Sequence, residues 1–252
     1  GPDGAIWGGE VLIGSYDGYQ RLAHLRYVPL PGGDAATLRP YRAALAHLWA
    51  AGIAWDADLA PVSALSERER PILTQQLARG INAPDTSSMG RLFDAAASLA
   101  GVLHEVTYEA QAAIWLEAQA DPDERGAYPF DLARGADGAP DQIDPAPALR
   151  ALVADRRAGA SMPLIAARFH NGVAALIRDC CVLARERTGL STVALSGGVF
   201  QNRLLLTRAT TLLAEAGFTT LTHVLIPAND GGLALGQAAI AALAVRSNSG
   251  RL

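Results

Sequence analysis

The sequence predicts an α/β fold, and three observations carry that expectation. Two strand, glycine-turn and helix units follow one another, at Thr192 to Gly217 and at Leu221 to Val245. Short apolar runs flank a turn-prone stretch near the N-terminus. The chain has 252 residues, 50% of them hydrophobic, which is enough for one large domain or two modest lobes with cores of their own.

In chain order, Val11 to Ile13 and Leu22 to Leu30 flank Gly14-Ser15-Tyr16-Asp17-Gly18, the arrangement of a β-hairpin. Pro31-Gly32-Gly33-Asp34 breaks the chain. Leu45, Leu48 and Trp49 then recur at helical spacing within Tyr41 to Ala51, and a helical region continues toward Gly80. Asn82 to Ser88 is a loop rich in capping residues. Behind it Leu92, Phe93, Ala96, Leu99 and Ala100 recur at helical steps up to Gly101, which predicts a capped helix. Glu109 to Ala120 predicts another helix. Asp121 to Pro147, rich in Pro, Gly and Asp, predicts a surface excursion with little regular core.

From Met162 to Thr188, Ile165, Phe169, Val173, Leu176, Cys180 and Ala184 share one face of a long helix that Gly189 stops. Thr192 to Leu195 predicts a short buried strand, Ser196-Gly197-Gly198 a turn, and Arg203 to Ala216 a helix capped by Gly217. Leu221 to Ile226, Pro227 to Gly232 and Leu233 to Val245 repeat strand, turn and helix. The last of these is interrupted by Gly236 and Gln237 and is too short to cross a bilayer, so it reads as a core helix. Two such units in succession imply a sheet whose strand ends gather loops at one edge.

A net charge of −4 with 18% charged residues leaves no basic stripe, so nucleic acid is not an expected partner. All 21 basic residues are arginines and alanine is abundant, the mark of a GC-rich coding sequence. Cys180 and Cys181 are adjacent in a helical pattern, with neither disulfide-framework nor zinc-site spacing, which fits a reducing cytoplasm. Gly1-Pro2-Asp3-Gly4 lacks the basic and apolar regions of a signal peptide and reads as an internal start within a longer chain. The five histidines form no HxxxH or HExxH pair, and each is expected to pack structurally. With no GxSxG elbow and no lysine, covalent hydrolase and P-loop chemistry are poor fits.

Gly197-Gly198, between strand and helix, either lets backbone N–H groups approach a phosphate or simply makes a corner. Asn202 behind it adds a polar group suited to a nucleotide. Asp230, flanked by Asn229 and by Gly231-Gly232, either offers a carboxylate to a metal or caps the helix at Leu233. Arg91 and Asp94, three residues apart in Gly90-Arg91-Leu92-Phe93-Asp94, suit a surface ion pair. Glu109 is either a site carboxylate or a first-turn residue favoured by the helix dipole.

These phrases form an ordered set: Ile6-Trp7-Gly8-Gly9-Glu10, Leu30-Pro31-Gly32-Gly33-Asp34, Gly80-Ile81-Asn82-Ala83-Pro84, Thr86-Ser87-Ser88 with Gly90 to Ala95, Tyr108-Glu109, Ser196 to Asn202, and Asn229 to Gly232. The set resembles the C-terminal part of the hydrogenase-maturation carbamoyltransferases of the HypF family, over nearly the whole chain. More distantly it is similar to tRNA threonylcarbamoyltransferases and antibiotic O-carbamoyltransferases. The resemblance implies a two-lobed actin/Hsp70/sugar-kinase-like (ribonuclease H-like) fold, with the first lobe truncated at its N-terminus. Residues 1–85 would be the remainder of that lobe with a helical insertion, and 86–252 the second, nucleotide-binding lobe.

The resemblance further implies ATP or carbamoyl-adenylate held between the lobes, with a divalent metal, zinc or iron. Asp230 matches a metal-binding aspartate and is the expected catalytic residue, Asn202 a nucleotide-contacting asparagine, Gly197-Gly198 the phosphate loop, and Asp94 and Glu109 motif carboxylates near the nucleotide, with Ser196, Gly90 and Gly231 also expected to bind the nucleotide. The other metal ligands, and an adenylate-forming domain, are expected upstream. The acceptor implied is the C-terminal cysteine of a HypE-like partner, in cyanide-ligand synthesis for [NiFe]-hydrogenase. The alternatives are an O-carbamoyltransferase of antibiotic biosynthesis, a non-catalytic ATP-binding module, and an inactive fragment.

Overall fold

The computed structural model describes residues 1–249, so the last three positions of the expected 86–252 lobe lie outside the described residues. The elements in chain order begin with β1 (Glu10–Ser15) and β2 (Gly18–Leu25), then β3 (Val28–Pro29), α1 (Asp34–Thr37), α2 (Pro40–Ala50), α3 (Ala60–Ser63), α4 (Glu69–Arg79) and β4 (Asp85–Thr86). There follow α5 (Met89–Ala100), α6 (Gln111–Gln119), β5 (Asp131–Ala133), β6 (Asp141–Asp144), α7 (Ala146–Arg157) and α8 (Met162–Thr188). The chain continues with β7 (Thr192–Ala194), a 3-10 turn Gly198–Gln201, α9 (Arg203–Glu215), β8 (Thr219–Leu221), a second 3-10 turn Asp230–Gly232 and α10 (Leu233–Ser249).

The expected hairpin forms as β1 and β2, antiparallel from Glu10 opposite His24 to Ser15 opposite Gly18. It does not stand alone: β2 pairs in parallel with β6, and β5 closes the sheet in the order β1-β2-β6-β5. The stretch Asp121 to Pro147 is therefore no mere excursion. Its polar residues find partners both near and far in sequence, since Asp141 accepts from Gly135 N at 2.9 Å and pairs with Arg187 of α8 at 2.5 Å. Tyr128 is buried there, with its hydroxyl donating to Asp155 at 2.8 Å.

Helix α5 is the hub. Every residue from Arg91 to Ala100 is buried, as expected of a helix apolar around most of its circumference and packed on several sides. Its alanines, with Ala43, Ala44 and Ala46 of α2, let the two helix backbones approach closely. One continuous core runs from Ala23 through α2, α5 and α8 to Leu213, so the expected boundary at residue 85 passes through packed side chains.

Helix α8 matches its expected bounds: Ser161 caps it by accepting from Leu164 N, and Gly189 ends it in the left-handed conformation. Its face of Ile165, Phe169, Val173 and Leu176 is buried, and Leu205, Ala209 and Leu213 bring α9 into the same core. The last unit departs from expectation. In β7 only the following Leu195 is buried, and β8 ends at Leu221, so the expected strand to Ile226 is irregular. The expected core helix α10 instead carries exposed Leu233, Leu235, Ile240 and Val245. Among the described residues no helix is long and apolar enough to cross a membrane.

Candidate functional site

The motifs of the N-terminal half meet one another. Ile6 bridges Thr86, with Ser87 N donating to Ile6 O at 2.9 Å, and Gly32 N donates to Asn82 O at 2.8 Å. Glu10 accepts from Ser87 Oγ at 2.5 Å and from Arg21 Nε at 2.6 Å, while the Arg21 guanidinium lies 3.9 Å from the centre of the Trp7 ring. A side chain at Gly9 would stand 2.5 Å from Ser87 O, so this close approach requires glycine. These contacts fix the strand that delivers Ser88, which caps α5 by accepting from Arg91 N at 3.3 Å.

On α5 the expected surface ion pair is buried. Arg91 Nη1 lies 2.9 Å from Asp94 Oδ2, with the two side chains 10% and 4% exposed. The pair lacks hydrogen-bond alignment at Oδ2. Burial pushes the Asp94 carboxyl up to about 6, with Arg91 pulling it down and Glu109 adding to the rise. Glu109 is exposed and lies before its helix, since Ala110 is left-handed (φ 62°) and Gln111 begins α6 by accepting from Thr107 N at 2.8 Å. Gly90, at the first turn of α5, faces Val199 of the 3-10 turn: a Cβ there would stand 4.0 Å from Val199 Cγ2.

The two glycine turns lie side by side. Gly197 takes φ 109°, a conformation that favours glycine, and its N–H donates to Ala228 O at 2.8 Å. That N–H is thus spent on the second turn and is not free for a ligand. Asn229 caps the second turn by accepting from Gly231 N at 3.1 Å. The cap belongs to the 3-10 turn and not to the helix at Leu233 that Asp230 was expected to cap, and Asp230 itself is exposed. Asn202 caps α9 by accepting from Leu205 N at 2.8 Å.

One residue escaped sequence reasoning. His223, expected to pack structurally, is exposed, and its Nε2 lies 3.0 Å from Ser196 Oγ. Ala194 pairs with Leu221 in the parallel β7-β8 register, so residues two positions beyond each strand end come together. The period alone gives no such register, and the only signal was the repeat of two strand-turn units. Cys180 behaves as expected of a packing residue: it is buried, and burial pushes its thiol up to about 12.

The family description "Carbamoyltransferase, Kae1-like Domain, second subdomain" matches residues 1–237. This chain belongs to the HypF carbamoyltransferase family. It is 44% identical over 251 residues to the carbamoyltransferase HypF of Rhodobacter capsulatus, covering 98% of this chain and 31% of that protein. It is 38% identical over 251 residues to the HypF of Synechocystis sp., covering 94% of this chain and 32% of that protein. A crystal structure of full-length HypF in the phosphate- and nucleotide-bound form superposes with a TM-score of 0.89 at 39% identity, over 96% of this chain and 31% of that one. The chain thus spans a little under a third of these HypF relatives and shares their mixed α/β fold.

Proposed function

We propose that this chain is the part of a HypF carbamoyltransferase that passes a carbamoyl group from carbamoyl-adenylate to the C-terminal cysteine of a HypE-like partner. The observation that carries the reading, beside family membership, is the contact between the Ser196 to Asn202 and Asn229 to Gly232 turns, joined by the Gly197 to Ala228 hydrogen bond. Glycines on both sides let an adenylate phosphate approach the main chain closely, with the Ser196 hydroxyl and Asn202 amide at hand. The nucleotide in the related full-length HypF crystal structure supports the same reading.

In the transfer step the acceptor's thiolate sulfur attacks the carbamoyl carbon. A C–S bond forms, the C–O bond to the phosphate breaks, and AMP leaves with the electron pair; the thiol proton passes to solvent. This chain's contribution is to hold the phosphate as charge gathers on it. Asp230 is the residue proposed for a divalent metal. Among the described residues no three His, Cys, Asp or Glu side chains gather to hold one. A single exposed carboxylate does not make a site, and no step here runs through a metal.

The test uses the full-length protein with ATP, a carbamoyl donor and a HypE-like acceptor, read by mass spectrometry of the acceptor's C-terminal peptide. The expected product is a carbamoylated cysteine, lost in Asp230→Ala with the fold intact. Transfer retained by that variant with normal metal content overturns the role of Asp230. Carbamoylation of an aminoglycoside hydroxyl in place of the thiol would move the protein to the O-carbamoyltransferases, and ATP hydrolysis without transfer would reduce it to a nucleotide-binding module.

A further inference from the structure

A chain of hydrogen bonds ties the middle of α8 to the Asn202 side chain. Asn202 Oδ1 accepts from Leu205 N at 2.8 Å, which fixes the orientation of the amide. Its Nδ2 then faces His170 Nε2 at 2.9 Å. An amide nitrogen only donates, so Nε2 is the acceptor and the imidazole proton sits on Nδ1, which donates to Ala166 O at 2.7 Å. The ring is fully buried, with Phe93 of α5 in a T-shaped contact at 5.3 Å between ring centres and Phe169 in another at 6.4 Å. Burial holds the imidazole down to about 4, which keeps the acceptor lone pair available at neutral pH.

The bonding leaves Asn202 held at both ends of its amide, with one of its two Nδ2 protons uncommitted among the described residues. A cap alone needs only Oδ1. The second restraint removes the remaining freedom of χ2 and aims a single N–H from the start of α9. Through Phe93 the same histidine contacts the helix that carries Gly90 and Asp94. His170 therefore touches one candidate nucleotide-site residue, Asn202, and the α5 helix on which Gly90 and Asp94 lie, without facing solvent itself.

We propose that His170 is a positioning residue for nucleotide binding, acting through Asn202 by holding its side-chain amide in the orientation that presents the free N–H. The proposal rests on the reading of Asn202 as a nucleotide contact. Preorganised donors bind with less loss of freedom than donors that must be immobilised, and loss of one such bond corresponds to an affinity change of about tenfold.

The test measures ATP affinity by calorimetry on the full-length protein. His170→Phe keeps ring size and packing but removes the acceptor; His170→Gln restores an acceptor near the position of Nε2. Expected are a loss of about tenfold in His170→Phe and in Asn202→Ala, no further loss in the double variant, and recovery in His170→Gln. Wild-type affinity in a folded His170→Phe protein, beside a loss in Asn202→Ala, overturns the role of His170 and leaves Asn202 standing. Unchanged affinity in Asn202→Ala overturns the nucleotide reading of Asn202 and this inference with it. Should His170→Phe not fold, the nitrogen resonances of the His170 ring in the unaltered protein decide. A proton on Nδ1 and an acceptor Nε2 whose shift responds to ATP are expected, and a proton on Nε2 or an unresponsive ring overturns the proposal.

Discussion

His223 Nε2 stands 3.0 Å from Ser196 Oγ because two parallel strands end in register. Both side chains are exposed, so the pair contributes little to folding, and its substitution tests the site rather than the scaffold. His223→Ala is expected to change unfolding free energy by less than about 0.5 kcal/mol. The same change should weaken ATP binding of the full-length protein by about three- to tenfold, through loss of the restraint on the Ser196 hydroxyl. Unaltered affinity would detach this pair from the nucleotide.

Asp94 gives the protein a pH-dependent term of unusual sign. Its carboxyl is raised by burial to about 6 from 3.8, so the folded protein keeps a proton that the unfolded chain releases. The contribution is fully present below the unfolded value and is lost as pH rises through 6. Between about pH 7.5 and pH 4.5, wild type should gain about 2 kcal/mol of stability relative to Asp94→Asn. Chemical denaturation at both pH values measures the difference; a gap that does not move with pH contradicts the buried carboxyl.

Gly172 lies directly beneath the backbone of Tyr128. A Cβ at this position would meet Tyr128 O at 2.3 Å, a clash with main chain that no rotamer relieves. Gly172→Ala should therefore cost about 1–3 kcal/mol. It should also speed amide exchange at Tyr128, whose N–H donates to Arg168 O at 3.1 Å. Wild-type unfolding in this variant would show that the 121–130 stretch is not seated on α8 as described.

Two leucines in the last two helices should respond differently. Leu205 of α9 is fully buried, and its replacement by alanine should cost about 2–5 kcal/mol. Leu235 of α10 is 56% exposed, and Leu235→Ala in this chain should cost less than about 0.5 kcal/mol. Comparable losses at both sites would mean that α10 is packed in solution.

Much of the helical frame was legible because caps and period are local. Ser88 and Gly101 bracket α5, and Ser161 and Gly189 bracket α8, as the residue types predict. The strands were read less well. β6 is a four-residue segment with Ile143 as its one apolar residue, its partner β2 lies more than a hundred residues earlier, and no local period reports such a pairing. The surface ion pair expected of Arg91 and Asp94 failed for a related reason, since spacing places the two side chains on one face but does not say what covers that face.

By itself the sequence determined the helices, which follow from residue types at short separation, and the order of the motifs along the chain, on which the resemblance to the family rests. Only the tertiary structure decided that Gly197 spends its N–H on Ala228, that Asn202 is held by His170, and that Ser196 meets His223. It alone decided that α10, apolar enough to read as core, stands exposed in this chain. These outcomes depend on which surfaces meet. Burial and hydrogen-bond satisfaction are properties of the assembled fold, which periodicity along one segment does not encode.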